Sequence, residues 1–254
     1  MIVWALFDSG NGCYAQAAKK FKDIELYSIG LDIENKHDHF LSLNLADYSR
    51  LFGNTTLFDT LDKLPKPDVI LASPPCESWS VASAMRDGNA SWKQEKGDGL
   101  FMPQTPLSRF TVRDYEDYNG YQFKPEKSLI NRINGELCTF NTIQIIKRYQ
   151  PEIYVIENPA SSRMWEYIDR VMGFHIPFEN LTYYNNYDYP ISKPTKFKSN
   201  IQLNLKKRMI RNEMKFNEFS RDYNERSNIP LKLVEDIFKQ LESQLQILRE
   251  EHDE

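Results

Sequence analysis

Short apolar runs, each stopped by turn residues, recur along the chain. Ile2–Phe7 stops at Asp8-Ser9-Gly10-Asn11-Gly12, and Glu25–Leu31 stops at Asp32. Val69–Ala72 runs into Ser73-Pro74-Pro75, and Ile153–Ile156 runs into Glu157-Asn158-Pro159. Brief apolar runs bounded by Gly or Pro read as buried strands. His39–Leu45 predicts one more. Between them lie helical patterns: Tyr14–Phe21, with Ala15, Ala17, Ala18 and Phe21 on its packing side; Tyr48–Leu64, a helix with a loop; Leu137–Tyr149, ended by Pro151; and Ala160–Met172. Strands alternating with helices predict an α/β fold around a mainly parallel central sheet. Near the C-terminus, Leu231, Val234, Phe238, Leu241, Leu245 and Leu248 alternate spacings of three and four. That stripe reads as a dimer seam, or as one face of a long helix laid on the sheet.

Chemistry concentrates where the strands stop. In open α/β sheets, ligands sit beyond the carboxyl ends of the strands. Cys76 is the first reactive side chain past Val69–Ala72. A free Cys is most often a small buried hydrophobe, but two prolines stiffen the turn before this one. Glu157 repeats the arrangement after Ile153–Ile156. A thiol and a carboxyl at one sheet edge make a candidate nucleophile and acid. The first strand, its glycine turn and the helix after it open like a nucleotide-binding unit. Asp32 reads either as a ribose-binding acid or as an ordinary strand-ending residue.

Two further segments stand out. Glu77–Glu136 is long, polar and aromatic, with little apolar period; it reads as an active-site lid or an insert. Lys206, Lys207, Arg208, Arg211 and Lys215 form the densest basic cluster. It reads as a phosphate contact or as a solvated face.

Composition narrows the class. The chain has 254 residues, 41% hydrophobic and 27% charged, which suits one large domain with a real core. The formal net charge is -4, so bulk charge does not draw it to nucleic acid, and such a partner must meet a local basic patch. Three widely spaced cysteines point away from a disulfide framework and toward a reducing, cytoplasmic setting. No Cys/His spacing resembles a zinc site, and no metal is expected; His37 and His39 sit in a charged run that reads as a solvated loop. The first residues lack the basic start of a signal peptide, and no apolar run approaches the length of a membrane helix.

Several of these pieces together resemble the DNA (cytosine-5) methyltransferases. Ser73-Pro74-Pro75-Cys76, with Ser78-Trp79-Ser80, is similar to the family's Pro-Cys motif, which carries the nucleophile. Ile156-Glu157-Asn158-Pro159 is similar to its Glu-Asn motif, which holds the target base. Phe7 with Gly10 and Gly12 resembles the Phe-x-Gly-x-Gly turn that cradles S-adenosylmethionine, with one extra residue. Asp32 falls where the family has its ribose-binding acid, and Asn44 or Asp47 near its adenine-binding Asp. Arg226–Leu231 resembles the closing Asn-x-Val-Pro motif, with Asn228 as its Asn.

The resemblance runs from first strand to last helix. It implies a Rossmann-like, S-adenosylmethionine-dependent methyltransferase that is a single catalytic domain over 1–254. In it 77–136 is an insert or active-site loop, 200–226 a reduced recognition region and 227–254 a C-terminal helix packing back. Two departures matter. The family's Gln-x-Arg-x-Arg motif is missing, and at about its distance the chain offers Lys193 and Lys196. The large target-recognition region is also missing, which moves readout to Glu77–Glu136 or to a partner protein.

The implied activity is methyl transfer to carbon 5 of cytosine in DNA, in a restriction–modification or phage setting. The substrate is a duplex with the target base flipped out, at a cost of about a few kcal/mol. Cys76 adds to the ring, Glu157 holds it, and Lys193 or Lys196 stands in for the arginine. Pro74 and Asn228 belong to the cofactor set with Phe7, Gly10, Gly12, Asp32 and Asn44 or Asp47. Trp79 and Trp92 are candidates to fill the gap the base leaves. The competing readings are a non-catalytic DNA-binding or regulatory subunit of the same fold, or one half of a multi-subunit enzyme. A dinucleotide-dependent oxidoreductase would leave both proline motifs without roles.

Overall fold

The computed structural model describes residues 1–8, 11–31, 37–80, 92–94, 110–112, 125–212, 214, 216–220 and 223–252. Four apolar segments make the middle of the sheet: β1 (Ile2–Leu6), β2 (Glu25–Gly30), β4 (Val69–Ala72) and β7 (Ile153–Pro159). β3 (Phe40–Ser42) extends one side. On the other, β8 (Phe178–Tyr183) and β9 (Pro194–Ser199) follow β7. The order is β3-β2-β1-β4-β7-β9-β8. Every pairing from β3 to β7 is parallel, and β9 runs antiparallel to both β7 and β8. The fold is α/β with a mainly parallel sheet, as the apolar runs predict.

The pleat sorts the strands into two cores. Val3, Ala5, Val69, Leu71, Ile153 and Val155 face one side, and Trp4, Leu6, Ile70, Ala72 and Ile156 the other. That period of two, apolar on both faces, marks strands covered on both sides. On the first face lie α1 (Cys13–Ala18) and α7 (Leu231–His252). On the second lie α2 (Thr56–Leu61), α3 (Pro125–Tyr149) and the short α4 (Met164–Glu166), which continues as a wider turn over Tyr167–Val171. The C-terminal stripe is a packing face: Val234, Phe238, Leu241 and Leu245 are buried against α1 and the sheet, joined by Leu233 and Ile237. Phe238 meets Phe21 edge to face at 5.5 Å.

Three expectations needed extension. α3 begins twelve residues before Leu137, because its first turns present Asn131 and Asn134 where an apolar residue would be expected. Gly135 lets that helix press onto the turn after Cys76: a Cβ there would overlap Ser78 Oγ and approach Trp79 Nε1. Trp79 is fully buried and packs on Tyr167 at 5.0 Å between ring centres, so it is a core residue and is not available to replace a flipped base. Within Glu77–Glu136, β5 (Trp92–Gln94) and β6 (Phe110–Val112) pair as an antiparallel ribbon outside the main sheet. Residues 81–91, 95–109 and 113–124 of that segment, like Gly10, Asp32 and Lys215, lie outside the described residues, as does the side chain of Trp92. No helix among the described residues is long and apolar enough to cross a membrane.

Candidate active site

The register of the central strands builds the site. β4 and β7 pair through Ala72 and Ile156, so the next residues, Ser73 and Glu157, leave the sheet side by side. β7 itself runs on to Pro159 because antiparallel β9 pairs its last three residues. Asn158 Nδ2 donates to the Pro74 carbonyl at 2.9 Å and ties the two strand ends together. Beyond Pro75, the Cys76 carbonyl accepts from Trp79 N at 3.0 Å and Ser80 N at 2.8 Å. Stiff prolines before the thiol and a closed, buried turn after it fix where Cys76 sits.

The strand ends open onto one cavity of about 310 Å³. Phe7, Asn44, Pro74, Cys76, Glu157, Lys193 and Asn228 all line it. Asp47 does not; its carboxylate accepts from Ser49 N at 3.2 Å and Ser49 Oγ at 3.0 Å and caps the turn that follows. Gly12, with φ 67°, opens α1 behind the cavity wall, a left-handed position suited to glycine. Of the two lysines, Lys196 points to the sheet face, where it pairs with Glu179 at 2.7 Å. Lys193 is the one that lines the cavity, half-buried. It holds a left-handed φ of 30°, and its Nζ donates to the carbonyls of Arg226 at 2.9 Å and Ser227 at 3.1 Å. It also sits over the Tyr184 ring at 5.0 Å.

Burial dominates the electrostatics. It pushes the Glu157 carboxyl above the usual carboxylate range, against the Lys193 cation and hydrogen bonds from Ser73 and Tyr184. The Tyr184 hydroxyl lies 3.3 Å from Glu157 Oε1. Burial lowers the Lys193 ammonium, opposed by the charges of Glu157, Cys76 and Cys13. Cys76 is half-buried and lines the cavity. Desolvation lifts its thiol to about 11; Lys193 pulls it down, while Glu77 and Glu157 push it up. Cys13 and Cys138 line the same cavity with thiols raised to about 12, chiefly by burial.

Several lining residues were not apparent from the sequence. Asp8 lies within the glycine turn and is buried. Its carboxylate accepts from Tyr14 N at 3.1 Å, Ala15 N at 3.2 Å and Ser28 Oγ at 2.7 Å. Burial still leaves its carboxyl raised. An acidic residue directly after a strand and four before Gly12 was the available signal. Ser28 also bonds His37 Nε2 at 2.9 Å, so His37 is tied to β2 rather than solvated. Tyr14 bonds Ser73 hydroxyl to hydroxyl at 2.8 Å. Asn131, Asn134 and Cys138 share one face of α3 at spacings of three and four. Asn158, 1% exposed, keeps Oδ1 without a hydrogen-bond partner. A buried acceptor left open in a cavity wall is costly unless a ligand meets it. Among the described residues no group of three or more His, Cys, Asp or Glu could hold a metal ion.

No protein-family model matches the chain, and no curated protein matches it. Among solved structures it is similar to a mutant of Spodoptera frugiperda DNMT2, at 14% identity and a TM-score of 0.41. The match covers 84% of this chain and 56% of that one, so the chain spans a little over half the length of that protein.

Proposed function

We propose that the chain transfers a methyl group from S-adenosylmethionine to carbon 5 of cytosine in DNA, with Cys76 as nucleophile. One observation carries this reading: paired strands β4 and β7 deliver a thiol and a carboxyl to one cavity, with Lys193 as a half-buried cation near both. The cavity suits the cofactor. Its volume falls within the range of small-molecule sites. Leu31, Leu43 and Leu45 offer apolar wall for a flat base, while Asp8 and the open Asn158 Oδ1 offer acceptors. Phe7, Asn44, Pro74 and Asn228 would complete its hold. When bound, S-adenosylmethionine supplies an electrophilic methyl group.

The chain's own residues supply the activation. The Cys76 thiolate bonds to carbon 6 of the flipped cytosine, which makes carbon 5 electron-rich. Glu157, whose carboxyl is raised by burial, donates to ring nitrogen 3 when it carries its proton and offsets the negative charge that arrives with the thiolate. Lys193 stabilises the thiolate before it attacks. Once carbon 5 carries the methyl group, solvent water takes its proton, the freed electron pair re-forms the C5–C6 double bond as the Sγ–C6 bond breaks, Cys76 departs as thiolate, and ring nitrogen 3 returns its proton to Glu157.

The test is incubation with labelled S-adenosylmethionine and mixed DNA, repeated with Cys76→Ser. Transfer by the natural chain and none by the variant is expected; transfer that survives the substitution refutes the assignment. A second reading has one observation in its favour. A thiol at about 11 leaves roughly one chain in 10⁴ as thiolate at neutral pH. That favours a non-catalytic DNA-binding subunit, or one half of an enzyme completed by a partner. DNA binding without transfer by the natural chain would select it. Bisulfite sequencing of DNA from expressing cells would reveal the target sequence and test the restriction–modification or phage setting.

A further inference from the structure

The basic cluster is built into the fold in an unusual way. Ile201, Leu203 and Leu205 alternate with exposed residues and root an extended segment in the core beside α7. From Lys206 to Asn212 the alternation ends and every residue is exposed. This stretch belongs to no strand, yet side chains from β8 and the turn after it hold its main chain. Thr182 Oγ1 donates to the Lys206 carbonyl at 2.6 Å, and Lys206 N donates to the Tyr187 hydroxyl at 2.8 Å. Asn186 grips Arg208 twice, donating to its carbonyl at 3.0 Å and accepting from its N–H at 3.2 Å. Asn185 donates to the Ile210 carbonyl at 2.9 Å. Asn212 Oδ1 accepts from Ser192 N at 2.8 Å, one residue from Lys193, so the segment ends at the cavity rim.

The held positions are 206, 208 and 210. In an extended chain the N–H and C=O of one residue point the same way and alternate with the next. The main-chain groups of Lys207, Met209 and Arg211 are therefore turned to the open side, and no hydrogen bond among the described residues engages them. The side chains of Lys207, Arg208 and Arg211 make no ion pair there either. Nearby acids are occupied elsewhere: Asp188 with Lys232, and Asp236 with Tyr187. Met209, 89% exposed, is the most exposed large hydrophobic residue among those described, and Ile210 beside it is 48% exposed. Anchoring asparagines against a surface of unpaired cations and bare apolar side chains do nothing evident for the fold.

We propose that Lys206–Asn212 is a preformed grip for a nucleic-acid backbone, with Lys207, Arg208 and Arg211 on phosphates and Met209 set against sugar or base edges. Cations and free amides together are the groups that position a duplex, and exposed Met and Ile serve as apolar wedges in grooves. From Lys207 to Arg211 is four steps of about 3.3 Å, roughly 13 Å, against one phosphate per about 3.4 Å of axis on each strand. That length covers several consecutive phosphates. The choice of polymer rests on the reading of the cavity given above; the grip itself does not.

The experiment is fluorescence anisotropy of the full chain with a labelled duplex DNA across a salt series, with RNA of the same sequence alongside. The expected result for Lys207→Ala/Arg208→Ala/Arg211→Ala is binding weaker by about 10²-fold near 0.1 M salt. Its log–log salt slope should fall by about 2.7, at about 0.9 per phosphate contact. Asn186→Ala keeps every charge but frees the Arg208 main chain; it should bind more weakly with an unchanged slope. Equal affinity and slope for the triple variant would overturn the grip, and equal affinity for Asn186→Ala would overturn its being preformed. Binding of the natural chain to anionic vesicles, but to neither DNA nor RNA, would overturn the choice of partner. The two proposals separate cleanly. Salt-dependent binding through these residues without methyl transfer retains the grip and removes the enzyme; transfer with an unchanged KM for DNA in the triple variant does the reverse.

Discussion

Lys193→Met probes the electrostatics that the mechanism needs. The side chain is half-buried, and its cation lowers the Cys76 thiol against the rise that desolvation imposes. An opposite charge close to an ionisable group moves its pKa by about 1–3 units. Removing the cation should therefore raise the thiol further above about 11. Alkylation follows the thiolate, so its rate at a fixed pH should fall about tenfold per unit. The substitution also strips donors from the carbonyls of Arg226 and Ser227. Losing two charge-assisted bonds costs about 3–6 kcal/mol, equivalent to a melting-point loss of roughly 6–24 °C in a chain of this size. The assay is iodoacetamide alkylation over a pH series below the melting point, with peptide mass mapping. Mapping is needed because Cys13 and Cys138 open onto the same cavity. Lys196→Met is the control, since that lysine pairs with Glu179 on the sheet face. Only Lys193→Met should slow Cys76. If both variants match the natural chain, or both slow it equally, the cation does not act on the thiol.

Three more outcomes follow from the packing and the buried acids. Burial holds the Glu157 carboxyl above its unfolded value, so the folded chain binds the extra proton and loses stability as pH rises through the raised value. Glu157→Gln cannot titrate; its melting point relative to the natural chain should climb as pH rises above the unfolded value of 4.5 while methyl transfer is lost, and a gap independent of pH would contradict the raised carboxyl. Gly135→Ala drives a methyl group into Ser78 beneath the Cys76 turn, and overpacking of this kind costs about 1–3 kcal/mol; an unchanged denaturation midpoint would show that α3 does not press there. Phe238→Ala empties the contact with Phe21 under α7 and should cost about 3–5 kcal/mol in denaturant unfolding; a loss below about 1 kcal/mol would mean that α7 docks loosely.

What was legible in the sequence was what burial writes in apolar letters. Val69–Ala72 and Ile153–Ile156 are wholly apolar because helices cover both faces of the strands, so the strands, their ends and the chemistry at those ends could all be read. The antiparallel edge could not. β9 carries Lys196 and Lys198 on a face that pairs with Glu179 of β8, and strands whose open face is charged look like loop. That edge, however, is what sorts the two lysines. Alternation along β9 sends Lys196 outward, while the left-handed turn just before the strand drops Lys193 into the cavity. Spacing after Glu157 left them equivalent. The same blindness covers Asp8 and the polar face of α3, where hydrogen bonding rather than hydrophobicity fixes position. It also covers the asparagines that pin Lys206–Asn212, since a basic run reads the same whether it is held or free. The segments that composition describes worst are thus those where side-chain hydrogen bonds replace burial, and both the cavity floor and the basic segment at its rim are made of them.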